Sequence, residues 1–177
     1  MNEELKKTLS EEKKLYIPHI KSLKNRIMAR YTRAEEYMIY RFICALRKAE
    51  FYQTRNKAMY AFWLRRANIR GEALGFCIPA GVLGKGVQIY HGGSIIINKE
   101  SSVGSGCRFH GDNCIGNNGK DNLCPVLGER VDMGGGAKVI GNVEIADDIR
   151  IGANAVVTRS FLEPGITIAG VPARKQE

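Results

Sequence analysis

LGKGVQIYHGGSIIINKESSVGSGCRFHGDNCIGNNGKDNLCPVLGERVDMGGGAKVIGNVEIADDIRIGANAVVTR, running from Leu83 to Arg159, carries an apolar residue every six positions. In register these are Leu83, Ile89, Ile97, Val103, Phe109, Ile115, Leu127, Met133, Val139, Ile145, Ile151 and Val157, with two surplus residues, Ile95 and Ile96, ahead of Ile97. Glycine often follows at once, as in Val103-Gly104, Leu127-Gly128 and Ile151-Gly152. A period of six suits neither an ordinary helix nor an ordinary strand. It suits a chain that turns a corner every six residues and sends one side chain inward per face. Three such faces close one triangular coil. Three residues after each apolar position stand Gly86, Gly92, Glu100, Gly106, Asp112, Asn118, Arg130, Gly136, Asn142, Asp148 and Asn154. Most are Gly, Asn or Asp, the types that tolerate the positive φ a corner demands. At a strand spacing of about 4.8 Å, about four to five coils make a prism roughly 20 Å tall.

Outward from this stretch the chain changes character. Residues 1–76 hold 17 Lys or Arg against 8 Asp or Glu, whereas residues 77–177 hold 10 of each, so the net charge of +9 belongs to the N-terminal part. A basic face of this kind fits plain solvation, an anionic membrane surface met peripherally, or an acidic polymer. No zinc-finger, RNP-like or homeodomain pattern supports nucleic acid. No run of eighteen apolar residues is present, and MNEELKKTLSEEKK is too charged for a signal peptide, so a cytoplasmic protein is expected. Five cysteines without CxxC spacing indicate neither a disulfide framework nor a metal site.

The expected organisation is α+β, with a helical N-terminal region over residues 1–75, a coil over 76–163 and a tail over 164–177. Leu5 and Leu9 share a helical face, Pro18 interrupts it, and Ile20, Leu23 and Ile27 resume it. Thr32 and Glu35 have capping-box spacing, and Ile39, Phe42, Ile43 and Leu46 then mark the buried face of a helix. Met59, Phe62 and Trp63 read as a further buried stripe, with Gly71 and Gly75 closing the helical region. Within the coil, Asp121 stands where an apolar residue is due, so a loop near 117–126 is expected to protrude. Pro164-Gly165 predicts a turn before a short closing strand.

Only His19, His91 and His110 supply imidazoles. Transfer of an acyl group to a hydroxyl needs a base for the hydroxyl proton, and histidine titrates near neutrality. His91 is the best candidate, because it sits in YHGGS beside a corner glycine and next to the two-residue irregularity. His110 follows the inward Phe109 and should point outward, either lining the same cleft or standing free on the surface. His19, beside Pro18, reads as part of a helix start.

IPAGVLGKGVQIYHGGSIIIN, GCRFHGDNCIGN and GGGAKVIGNVEIADDIRIGANAVVTRSFLEPGITIAGVPARK together resemble the serine acetyltransferase-like branch of the hexapeptide-repeat acyltransferases. The likeness is nearest to members tied to capsular and other surface polysaccharides. It implies a left-handed parallel β-helix, a homotrimer or a dimer of trimers joined through the N-terminal helices, acetyl-CoA as co-substrate, and no metal. The general-base histidine falls on His91. The coenzyme A groove, between neighbouring prisms, falls on Gly135, Gly136, Ala137, Ala155, Thr158, Arg159, Gly170, Pro172, Arg174 and Lys175. Exposed coil backbone would pair with the pantetheine amides, and cations such as Arg159, Arg174 or Lys175 with the phosphates.

Serine acetyltransferases carry aspartates fifteen residues before the catalytic histidine and directly before it, where this chain has Phe76 and Tyr90. Their loop holds Arg-His-Pro, where this chain reads Leu123-Cys124-Pro125. A serine zwitterion needs a carboxylate for its ammonium and a cation for its carboxylate. Without those groups the expected acceptor is an uncharged hydroxyl on a sugar of a polysaccharide precursor, in a pocket shaped by Phe76, Tyr90, His110, Asn117 and Cys124. Serine O-acetylation for cysteine synthesis is the alternative within the class. A non-catalytic binding or assembly module is the alternative outside it.

Overall fold

The computed structural model describes residues 2–176, in two compact units, one ending at Gly75 and the other beginning at Phe76. The first holds helices α1 (Glu3–Tyr16), α2 (Leu23–Tyr31), α3 (Glu35–Tyr52) and α4 (Lys57–Leu74). Pro18 separates α1 from α2, as a ring without an N–H must. Ile39, Phe42, Ile43 and Leu46 are buried on α3, and Leu5 on α1 is buried as well. The core of this unit also contains charge: Arg47 donates from Nε to Glu12 at 2.9 Å and from Nη1 to Glu50 at 3.0 Å, with both Arg47 and Glu12 buried. Burial pushes the Glu12 carboxyl above its usual range despite the guanidinium beside it.

Four sequence expectations are corrected here. Thr32 does not cap α3, because its hydroxyl donates back to the Met28 carbonyl, closing α2, and Ala34 occupies the cap position without a side-chain bond. Leu23 and Ile27 do not resume the buried face; they are 63% and 61% exposed. Together with Met28 and Tyr31 they give α2 an uncovered apolar ridge. On α4, Phe62 lies outside while Trp63 is half-buried under the Lys48 ammonium. Gly71 is buried within α4, and Gly75 alone ends the helix, at φ 81°.

The second unit is built of short strands: β1 (Phe76–Cys77), β2 (Gln88–Ile89), β3 (Ile95–Ile97), β4 (Ser102–Val103), β5 (Arg108–Phe109), β6 (Cys114–Gly116), β7 (Val126–Leu127), β8 (Asp132–Met133), β9 (Lys138–Ile140), β10 (Glu144–Ile145), β11 (Arg150–Ile151), β12 (Val156–Val157), β13 (Thr167–Ala169) and β14 (Arg174–Lys175). They fall into three sheets, β1-β3-β6-β9-β12, β4-β7-β10 and β2-β5-β8-β11-β13-β14, parallel throughout except for β14. From β3 to β12 successive strands visit the three sheets in rotation, so the chain coils as the period of six requires. Every residue of the twelve-member apolar track is buried.

Each face sends two side chains inward, where one was expected. Two residues before the apolar track stand Val87, Ile95, Cys107, Asn113, Val131, Ala137, Val143, Ile149 and Ala155, all buried. Asn113 is satisfied inside the prism, donating to the Gly134 and Ala137 carbonyls and accepting from the Gly111 N–H. The glycine that follows the apolar residue has a packing reason. A Cβ on Gly84 would lie 2.6 Å from the Gly104 carbonyl carbon, and one on Gly104 would collide with the backbone of Gly128 in the next coil.

The corners take positive φ at Gly86, Gly106, Asp112, Arg130, Gly136, Asp148 and Asn154. Arg130 is the unexpected member, held there by a fork of bonds to Asp148 at 2.7 and 2.9 Å. Coil lengths locate the irregularities. Partners on adjacent coils are 18 positions apart between Met133 and Ile151, 20 between Ile89 and Phe109, and 24 between Phe109 and Met133. Six extra residues make the loop before Pro125. The two surplus residues do not sit at Ile95 and Ile96, whose side chains alternate regularly in and out. They widen the corner after His91, through Gly92, Gly93 and Ser94.

Candidate active site

Strand register builds the site. Because Ile89 pairs with Phe109 and Phe109 with Met133, Tyr90 stands over His110, and His91 over Gly111 and then Gly135. Backbone bonds Tyr90 N–H to Phe109 O, 2.9 Å, and His110 N–H to Met133 O, 3.2 Å, hold these columns. His91 is exposed, at the start of the widened corner. A Cβ on Gly111 would lie 3.9 Å from the Cβ of His91, and one on Gly135 would meet nothing closer than the Gly111 carbonyl at 3.9 Å. The imidazole therefore heads a track whose next two coils carry no side chain.

His110 is better anchored than its sequence position indicates. Its Nε2 lies 2.8 Å from Asp132 Oδ1, and its ring sits 4.8 Å from that of Tyr90, tilted by 40°. The Tyr90 hydroxyl donates to Gln88 at 3.3 Å, and Arg108 Nη1 reaches the other Asp132 oxygen at 3.4 Å. With the carboxylate ionised, Nε2 of His110 is the donor. Asp132 and Arg108 escaped the sequence reading. The signal was available only in coil register, since the loop puts Asp132 24 positions after Arg108 instead of 18.

Within one chain the structure brings together Tyr90, His91 and His110 and leaves the other predicted pocket residues elsewhere. Phe76 is buried, paired in register with Ile95. Cys124 is buried at the base of the loop, and Asn117 donates to the Asp121 carbonyl. Asn117 also lines a shallow polar cavity of about 370 Å³ with Asn98, Lys99, Glu100 and Asn122. His19 pairs with Glu36 at 2.9 Å, in the helical unit.

The predicted coenzyme residues divide in the same way. Ala137 and Ala155 turn into the prism, and their N–H groups donate to the Gly134 and Gly152 carbonyls. Gly135 and Gly136 are half-buried; Thr158, Arg159, Gly170, Pro172 and Arg174 lie exposed at the far end of the coil. The tail returns there, since Val156 donates to Gly170 and accepts from Ala173. Lys175 is held by both oxygens of Glu163 at 2.7 Å. Among the described residues no three metal-ligating side chains converge, and no helix is long and apolar enough to cross a membrane.

A three-faced parallel coil on a six-residue repeat, with an exposed imidazole at a widened corner, places the chain among the hexapeptide-repeat acyltransferases. No family model matches it. A serine acetyltransferase of Helicobacter pylori strain J99 is 32% identical over 151 residues, covering 84% of this chain and 83% of the relative. One from Synechococcus elongatus is 37% identical over 98 residues, 54% of this chain and only 40% of the relative. Among solved structures, a Brucella abortus serine acetyltransferase in complex with coenzyme A superimposes with a TM-score of 0.70 at 20% identity, over 98% of this chain and 68% of that one. The chain belongs to the serine acetyltransferase family. It is an enzyme, which sets aside the reading as a non-catalytic module.

Proposed function

We propose that the chain is an acetyl-CoA-dependent O-acetyltransferase with His91 as general base and serine as acceptor. The observation that carries this reading is the exposed imidazole at the widened corner, heading a glycine track on the next two coils. The relatives supply the acceptor, since they are serine acetyltransferases. In the step itself the acceptor hydroxyl gives its proton to an imidazole nitrogen of His91 as its oxygen bonds to the thioester carbon. The tetrahedral oxyanion then collapses, the carbon–sulfur bond breaks, and the imidazolium returns the proton to the departing thiolate.

The donor would lie along Gly135 and Gly136 toward Thr158, Gly170 and Pro172, with Arg159 and Arg174 for phosphate. Lys175 would have to leave Glu163 to take part. A left-handed coil assembled as a trimer, the groove lying between neighbouring prisms, agrees with the family likeness. The uncovered ridge of α2 supports a further contact between trimers through the helices. A sugar hydroxyl is the second reading. The uncharged Tyr90 and the buried Phe76 favour it, because neither brings a carboxylate to pair with an ammonium group.

The test is the rate of thioester loss with serine, nucleotide sugars and glycans, for the parent and His91→Gln. Following thioester absorbance avoids a thiol dye, which the exposed Cys77 would consume. Turnover with serine that falls about 10²–10⁴-fold in the variant, with acetyl-CoA affinity unchanged by calorimetry, is the expected result. Undiminished turnover in the variant removes His91 from the mechanism, and turnover with a sugar alone moves the acceptor to the second reading.

A further inference from the structure

We infer that Arg108, His110 and Asp132 are the acceptor grip, Asp132 taking the ammonium of the amino acid and Arg108 with His110 taking its carboxylate. This rests on the acetyltransferase reading above and deepens it. The usual places for such groups are empty of charge here, at Phe76, Tyr90 and Leu123-Cys124-Pro125. Arg108 and His110 stand one coil from His91, and Asp132 two coils away. Asp132 stands between two cationic or cation-capable groups, His110 Nε2 at 2.8 Å and Arg108 Nη1 at 3.4 Å. The three side chains are 26%, 43% and 51% exposed, so each keeps an open edge. The long Arg108 contact engages one nitrogen, leaving the rest of the fork to receive a carboxylate in two-pronged fashion.

Position agrees with charge. Tyr90 joins the cluster to the base: its ring lies on His110, and its backbone runs directly into His91. His91 and Gly111, the residue after His110, are neighbours across adjacent coils. At about 4.8 Å per coil, Arg108 and His110 stand one step along the stack from His91 and Asp132 two, so a bound amino acid would present its hydroxyl to His91 and its charged end down the stack. The alternation of positive, negative and positive groups matches a zwitterion and gives a neutral polyol no comparable gain.

Arg108→Gln and Asp132→Asn, made separately in the full chain, test the assignment with three acceptors: serine, serinamide, which lacks the carboxylate, and N-acetylserine, which lacks the ammonium. The parent should prefer serine to both analogues. Arg108→Gln should raise KM for serine at least tenfold, leave KM for acetyl-CoA within twofold, and abolish the preference over serinamide. Asp132→Asn should do the same against N-acetylserine. Arg108→Lys should recover part of the loss, which a purely structural surface pair would not require. Unchanged serine kinetics in both variants would overturn the grip while leaving the acetyltransferase reading intact. A parent that binds acetyl-CoA yet turns over sugars and never serine would overturn the grip together with serine as acceptor.

Discussion

The helical unit and the coil solve the same problem, burial of apolar surface, by different means. In the coil each residue's place is repeated on the coil above and below, so one rule of spacing fixes a dozen buried side chains and the glycine contacts between turns. In the helical unit nothing repeats. A buried arginine between two glutamates sits in its core, and an apolar ridge on α2 is left outside. Periodic packing makes every position answerable to its neighbours, whereas the helices depend on a few singular contacts.

Substitutions can break this comparison, and the largest effect is expected at the singular contact. Arg47→Met leaves Glu12 buried without its partner and should cost about 3–5 kcal/mol in urea unfolding. The sign with pH follows from the direction of the carboxyl. A Glu12 held above its unfolded value of about 4.3 contributes stability that is complete below that value and fades as pH rises through the folded one. The variant's deficit should therefore shrink on going from pH 7 to pH 4. A deficit that is the same at both would mean that Glu12 is not the group left unpaired.

Gly104→Ala should cost less, about 1–3 kcal/mol, because the new methyl meets backbone in the next coil, with Glu129 N only 2.7 Å away. Thermal unfolding of the variant tests whether coil stacking is as close as the glycine column demands; an unchanged midpoint would show that the coils can part. Leu23→Ser on the exposed ridge should move the stability of one chain by no more than about 0.5 kcal/mol. A loss several times larger, or one that depends on protein concentration, would show that the ridge is covered by another copy.

How far the sequence revealed each unit follows the same division. The six-residue track was readable because large aliphatic residues mark it, and Phe109 and Met133 fit it as well as leucine does. The second inward track was not, because Cys107, Asn113, Ala137 and Ala155 are too small or too polar to register as a hydrophobic pattern. In the helices, Thr32 and Glu35 have the spacing of a cap, yet the hydroxyl finds the nearer Met28 carbonyl first. At the candidate site His91 was legible from its glycine-flanked corner. Asp132 was not, because its bond to His110 spans 22 positions and the loop shifts the count.

The reversal of β14 bears on how the edge of one sheet is covered. A stack of parallel turns ends in a row of unsatisfied amides and carbonyls that could recruit the first turn of another molecule and grow into a fibre. On one of the three sheets β14 runs antiparallel against β13, pairing Ile168 with Lys175 and Ala169 with Arg174, with Arg174 exposed and Lys175 tied to Glu163. The edge of β13 is thus occupied by a reversed strand of the same chain and is not offered as a parallel template to the first turn of another molecule.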